Sequence, residues 1–139
     1  MTALESQLCD IQGRLFELSA HRGIASKDFV TKYMTSKTCE YYDAPYHRLQ
    51  WCGEEYLLGE LSDEYTSRGA SFPKGEVYSR DELYWMGYLY RYWHFLEKEP
   101  SRAIYRQAPV GMLKKVYPGF HTLDESLAIE NLKALGKSK

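Results

Sequence analysis

The sequence predicts an all-α fold, a single domain over residues 1–139 with about five to seven helices around an aromatic-rich central one. Three observations point there. Thr2-x-x-Glu5, Ser79-x-x-Glu82 and Thr122-x-x-Glu125 each match a capping box, in which the hydroxyl accepts one free backbone N–H and the carboxylate accepts another. Between such signals, apolar residues recur at spacings of three and four, the period of a helix with one buried stripe. No run of β-branched residues alternates long enough to compete as a strand.

Taken in order, Leu4, Leu8, Ile11, Leu15 and Leu18 draw one stripe along a first helix over about residues 3–22, which Gly23 is suited to end. Ser26 is placed to cap a shorter helix carrying Phe29, Val30, Tyr33 and Met34. A further short piece around Cys39 to Tyr42 should stop at Asp43-Ala44-Pro45. From His47 to about Ser67, Leu49, Cys52, Tyr56, Leu57, Leu58, Leu61 and Tyr65 predict a long amphipathic helix, weakened at Gly53 and Gly59. Arg68 to Gly75 is dense in turn formers, and the loop near 68–78 is the expected hinge between two helical halves. The aromatic helix follows, from Ser79 to about Glu97. Pro100 opens a short helix through Ile104 and Tyr105 that must end before Pro109, and another spans Val110 to Tyr117 until Pro118-Gly119. Thr122 is expected to cap a last helix through Leu135, with Lys137-Ser138-Lys139 fraying beyond it.

The stretch Glu82 to Leu96 places aromatics on almost every side of its helix, so it must be covered on several faces or present rings to a partner. Trp85, Leu89, Trp93 and Leu96 share a face expected in the core. Tyr84, Tyr88, Arg91 and Phe95 share the next, whose Tyr and Arg content is that of interface hot spots. The competing use of those tyrosines is packing, with their hydroxyls hydrogen-bonded at the core rim.

Composition excludes several classes. A hydrophobic fraction of 44% and a charged fraction of 27% are globular values, and 15% aromatic residues with 13 Tyr is high. A net charge of -1 gives no global field toward nucleic acid or an anionic membrane. Three cysteines, Cys9, Cys39 and Cys52, are odd in number and lack C-x-x-C spacing, so they read as reduced and mostly buried thiols. With no basic n-region before an apolar run and no 18-residue apolar stretch, a cytoplasmic protein is expected. Phosphate-loop, dinucleotide, zinc-protease and serine-hydrolase motifs are all missing, and His21, His47, His94 and His121 fall in different segments. No cofactor and no metal is therefore expected, and no enzyme.

Two other constellations remain. Arg14 and His21, two turns apart on the first helix, satisfy the R-x(4-6)-H spacing of helical ribonucleases of the HEPN type, in which the pair would act on a ribose hydroxyl and the scissile phosphate. With four histidines in the chain, one such pair is close to what chance supplies, and Leu15 stands where that family usually has a polar residue. Arg102, Tyr105, Arg106, Lys114, Lys115 and Tyr117 interleave cations with rings as single-strand binders do, though Asp81, Glu82, Glu97 and Glu99 lie close enough in sequence to dilute the potential.

Arg48 to Leu58, Tyr84 to Trp93, Ile104-Tyr105 and His121 to Ile129 resemble an uncharacterised family of small helical bacterial proteins, mainly of Firmicutes. Phe29 to Tyr65 is also distantly similar to short antitoxins encoded beside ADP-ribosyltransferase-like toxins, with their G-x-x-Y-[ILV]-[ILV] element standing here as Gly53 to Leu58. Neither resemblance carries catalytic residues. Together they imply a non-enzymatic binding module, antitoxin-like or immunity-like, that neutralises a partner protein by occlusion. The face expected to bind is Tyr84, Tyr88 and Arg91, joined by Trp51 and Tyr56. A mobile-element inhibitor of a host defence nuclease, a homodimer through the aromatic helix, and a ribonuclease using Arg14 and His21 are the alternatives.

Overall fold

A computed structural model describes residues 1–137. In chain order the elements are α1 (Ala3–His21), α2 (Ser26–Met34), α3 (Lys37–Asp43), a 3₁₀ turn (Arg48–Trp51), α4 (Glu54–Thr66), α5 (Arg80–Glu97), α6 (Ser101–Gln107), α7 (Val110–Phe120) and α8 (Glu125–Lys137). Among the described residues the class is all-α as expected, with eight α-helices where five to seven were anticipated. Among the described residues the only extended pairing is a single bridge between Ile24 and Lys74.

Two of the three capping boxes form in full, at Thr2/Glu5 and Ser79/Glu82. The third does not. The first intrahelical bond of α8 comes from Asp124's carbonyl, which accepts from Ala128, and Asp124's carboxylate accepts from the Ser126 amide at 3.2 Å. Asp124 thus displaces Thr122 as the cap, since aspartate serves there equally well and lies one residue before the helix. Ser26 likewise begins α2 without capping it, because its hydroxyl accepts from the Tyr78 amide at 2.9 Å. Gly23, at φ +71°, ends α1 as expected, with Ile24 and Gly23 donating to the carbonyls of Ser19 and Ala20.

The long helix expected from His47 to Ser67 is broken. A 3₁₀ turn occupies Arg48–Trp51, Cys52 and Gly53 are extended, and α4 begins at Glu54. Leu49, Leu57, Leu58, Leu61 and Tyr65 point inward on both pieces, which is why the period alone did not show the break, while Tyr56 of the same stripe is turned outward. At the other extreme, α7 continues through Pro118 to Phe120, because a proline in the last turn forfeits only one backbone donor. Of the tail expected to fray, Ser138 and Lys139 lie outside the described residues, and Lys137 is instead the last residue of α8.

Helix α5 is the central element, and its most extensive neighbour is α1. The two axes approach closely at glycines: a Cβ on Gly87 would lie 2.5 Å from the carbonyl oxygen of Gln12, and one on Gly13 would lie 2.7 Å from the Tyr84 ring. Around this crossing the core holds Phe16, Phe29, Tyr33, Tyr90 and Trp93, with Phe16 edge-on to Phe29 and Tyr33 at 5.6 Å. Trp93 and Leu89 are buried as expected of their face, Trp85 is half-buried edge-on to Tyr117, and Leu96 is exposed.

The segment expected as a hinge lies along α2. Ala25 and Ser26 donate to the carbonyls of Pro73 and Glu76, Lys32 Nζ donates to that of Ser71, and Phe72 packs on Phe29 and Tyr65. Since α1 precedes this loop and α5 follows it, the crossing of those two helices knits the halves together. No helix among the described residues is long and apolar enough to cross a membrane.

Candidate functional site

The five residues expected to bind a partner do not form one surface. Arg91 is completely buried, which corrects its placement on a docking face. On α5 it turns toward α1 and α3, where its Nε and Nη2 donate to Gln12 Oε1 at 3.0 and 2.8 Å and its Nη1 donates to Asp43 Oδ1 at 2.5 Å. Its guanidinium also covers the Tyr42 ring at 4.6 Å. Tyr33 donates to the same Gln12 oxygen at 2.7 Å, and Gln12 Nε2 donates to Gly87's carbonyl at 2.8 Å. Burial lowers the Arg91 guanidinium, but the Asp43 carboxylate outweighs it and raises the group above its ordinary value. Burial would also raise Asp43, but Arg91 and two bonds from Ser101 together keep its carboxyl below the usual range.

Tyr84 and Tyr88 sit elsewhere, half-buried along α5. Tyr84 donates to Asp10 Oδ1 at 2.5 Å, and burial followed by that carboxylate raises its hydroxyl. Both rings line a small depression of about 160 Å³ with Trp85, Leu89, His121, Leu123 and Glu125. Tyr56 is half-exposed on α4 and accepts from Arg48 Nη1 at 3.1 Å.

Trp51 belongs to a different and larger feature, a groove of about 720 Å³ at one end of the molecule. The start of α1 supplies Leu4, Glu5 and Leu8. The end of α3 and the chain after it supply Glu40 and Asp43 to Tyr46, the 3₁₀ turn supplies Gln50 and Trp51, and the end of α5 with the residues after it supplies His94, Phe95, Lys98 and Glu99. Trp51 is 72% exposed and Tyr46 88% exposed. Tyr46 at φ 66° and Lys98 at φ 55° are the only non-glycine residues of positive φ among those described, and both line this groove. Such backbone costs roughly 1 kcal/mol or more for a side chain other than glycine and gathers at functional sites. The α3 to 3₁₀ connection is held by Tyr41 stacked on His47 at 4.9 Å and by Gln50 Nε2 donating to the Tyr42 carbonyl at 2.8 Å.

The floor of the groove is polar and ordered. His94 Nδ1 donates to Glu99's carbonyl at 2.6 Å, which fixes the tautomer, and burial followed by Arg91 lowers its pKa below 6.5, so the ring is neutral. Glu99's two oxygens accept from Trp93 Nε1 at 3.1 Å and Gln107 Nε2 at 2.7 Å. Asp43 is committed to Arg91 and to the start of α6, where it accepts from the Ser101 amide at 2.8 Å. The arrangement offers apolar contact framed by fixed charge.

Arg14 and His21 are both exposed on α1, and Arg14 pairs with Asp10 at 3.0 Å. Neither lines either cavity described above. In the basic and aromatic segment, Lys114 pairs with Glu82 at 2.8 Å, Arg102 donates to Thr35's carbonyl at 2.7 Å, and Tyr105 shares a hydrogen bond with Thr31 at 2.6 Å. Cys9 and Cys39 are buried thiols, raised by burial to about 12 and about 11, and Cys52 is half-buried. No cluster of three or more His, Cys, Asp or Glu able to hold a metal occurs among the described residues.

Sequence reasoning marked Trp51 and set Phe95 on the docking face of α5, but missed the groove that joins them, whose α1, α3-to-3₁₀ and α5 parts lie far apart in the chain. The one local signal was Pro45, which forces the chain out of α3 and into the turn that displays Tyr46. No family model, curated protein or solved structure matches the chain.

Proposed function

We propose that the protein is a non-enzymatic binding module that takes a segment of a partner protein into the groove between α1, the 3₁₀ turn and the end of α5, and restrains that partner by covering its working surface. The observation that carries this reading is the pair of exposed rings, Trp51 and Tyr46, standing on the rim of an apolar-walled groove with positive-φ backbone on both sides. Large rings held in water cost free energy that a partner recovers by covering them, and tryptophan and tyrosine are the residues most enriched at binding hot spots. Antitoxin-like or immunity-like neutralisation is the form of restraint that the sequence resemblance suggests. The ribonuclease alternative draws no support from Arg14 and His21, which are exposed and share no cavity described above.

The test is affinity capture from the native cells with the wild-type chain, a Trp51→Ala, Tyr46→Ala double variant and a Tyr84→Ala, Tyr88→Ala double variant, each checked for folding by circular dichroism. One protein retained by the wild type and by the Tyr84/Tyr88 variant, but lost from the Trp51/Tyr46 variant, supports the reading. Loss only from the Tyr84/Tyr88 variant moves the interface to α5, and retention of nothing by the wild type overturns the proposal.

A further inference from the structure

We infer that the occupant of the groove is an amphipathic segment of the partner protein carrying Lys or Arg beside its apolar side chains, an inference that rests on the binding-module reading above. Charge and shape together select the occupant. The walls are apolar, from Leu4, Leu8, Pro45, Tyr46, Trp51 and Phe95. The charged side chains among them are Glu5, Glu40, Asp43 and Glu99 against Lys98 alone. Asp43 is neutralised by Arg91 beneath it.

Among the described residues the other three carboxylates have no cationic partner. Glu40 is exposed, and Glu5 accepts from the Thr2 amide in its own helix cap. Glu99 is held by an indole and an amide, which fix its direction without cancelling it. His94, neutral as described, adds no positive charge. An apolar cleft with a low-dielectric wall concentrates such a field, so a cationic flank on the incoming segment gains and an anionic one loses.

The same charge argues against other occupants. A phosphate backbone or an anionic lipid surface would meet Glu5, Glu40 and Glu99 with like charge. A second copy docked groove to groove across a two-fold axis would set those carboxylates against their own counterparts. The volume of about 720 Å³ lies within the roughly 300–1,000 Å³ of established binding clefts and accommodates several side chains of one segment.

The experiment titrates the full chain with three synthetic helical peptides that share one leucine register and carry Lys, Gln or Glu at every other position, at low and high salt. The wild type is compared with Trp51→Ala and with Glu5→Gln, Glu40→Gln, in which glutamine still completes the α1 capping box. The expected result is that the Lys peptide binds at least about tenfold more tightly than the Glu peptide at low salt. That preference should shrink at high salt and in the Glu5/Glu40 variant, and all binding should be lost in Trp51→Ala. Equal or reversed preference, still dependent on Trp51, overturns the cationic occupant while leaving the groove a docking site. Binding indifferent to Trp51, or none, overturns the docking reading as well. Anionic vesicles that bind in place of the Lys peptide, or self-association through Trp51 in sedimentation, would each overturn the inferred occupant.

Discussion

Replacing Arg91 with Ala would leave the largely buried Asp43 with its two bonds from Ser101 but without its cation, and Gln12 Oε1 without its guanidinium donors. Removing one partner of a buried pair costs about 3–5 kcal/mol, so urea unfolding of Arg91→Ala should show a loss of that size. A loss under about 1 kcal/mol would mean that the pair is not what fixes α1, α3 and α5 together. Tyr46 predicts the opposite sign. Its left-handed backbone suits glycine, so Tyr46→Gly should raise stability by about 1 kcal/mol while weakening partner binding. Stabilisation without loss of binding would show that the ring is ornamental to the groove.

At the scale of elements, the loop after α4 behaves as a strap whose anchor is Phe72, wedged against Phe29 and Tyr65 beneath Lys32. Phe72→Ala should raise the rate of proteolytic nicking within Ser67 to Val77 at least several-fold, with the helical core intact by circular dichroism. An unchanged rate would assign the strap to its backbone bonds alone. The helices themselves were legible because their signals are local: Thr2 with Glu5, Ser79 with Glu82, Gly23, Pro100 and Pro109 all act within one turn. What was not legible depends on residues far apart. Gln12 meets Arg91 across 79 positions, so nothing within α5 reveals that Arg91 points inward. Beside its local cap Ser36, α3 has its Lys37 and Thr38 amides accepted by Glu64, and α6 has its Ser101 amide accepted by Asp43, both carboxylates of other helices. The groove is illegible for the same reason, being the place where three chain segments end together.

For the whole molecule, these long-range contacts make folding depend on pH in a direction that can be worked out. His94 has its folded pKa lowered below 6.5 by burial and then by Arg91, so as pH falls through 6.5 the unfolded chain takes up the proton first. Its contribution is therefore complete above 6.5 and is lost as pH drops through the lower folded value. Asp43, Glu64 and Glu82 are also lowered, since in each case charge partners and hydrogen bonds outweigh the effect of burial, and their contributions fall away in a second, more acidic window below ordinary values of 3.8 and 4.5. The urea midpoint should therefore decline in two stages on acidification. His94→Asn keeps a donor for Glu99's carbonyl and removes the titration, so it should flatten the first stage and leave the second. Because His94 lies on the groove floor, the same substitution should also flatten any pH dependence of partner binding over that window. If the first stage persists unchanged in His94→Asn, the titrating group lies elsewhere, and the groove and the fold are not coupled through this ring.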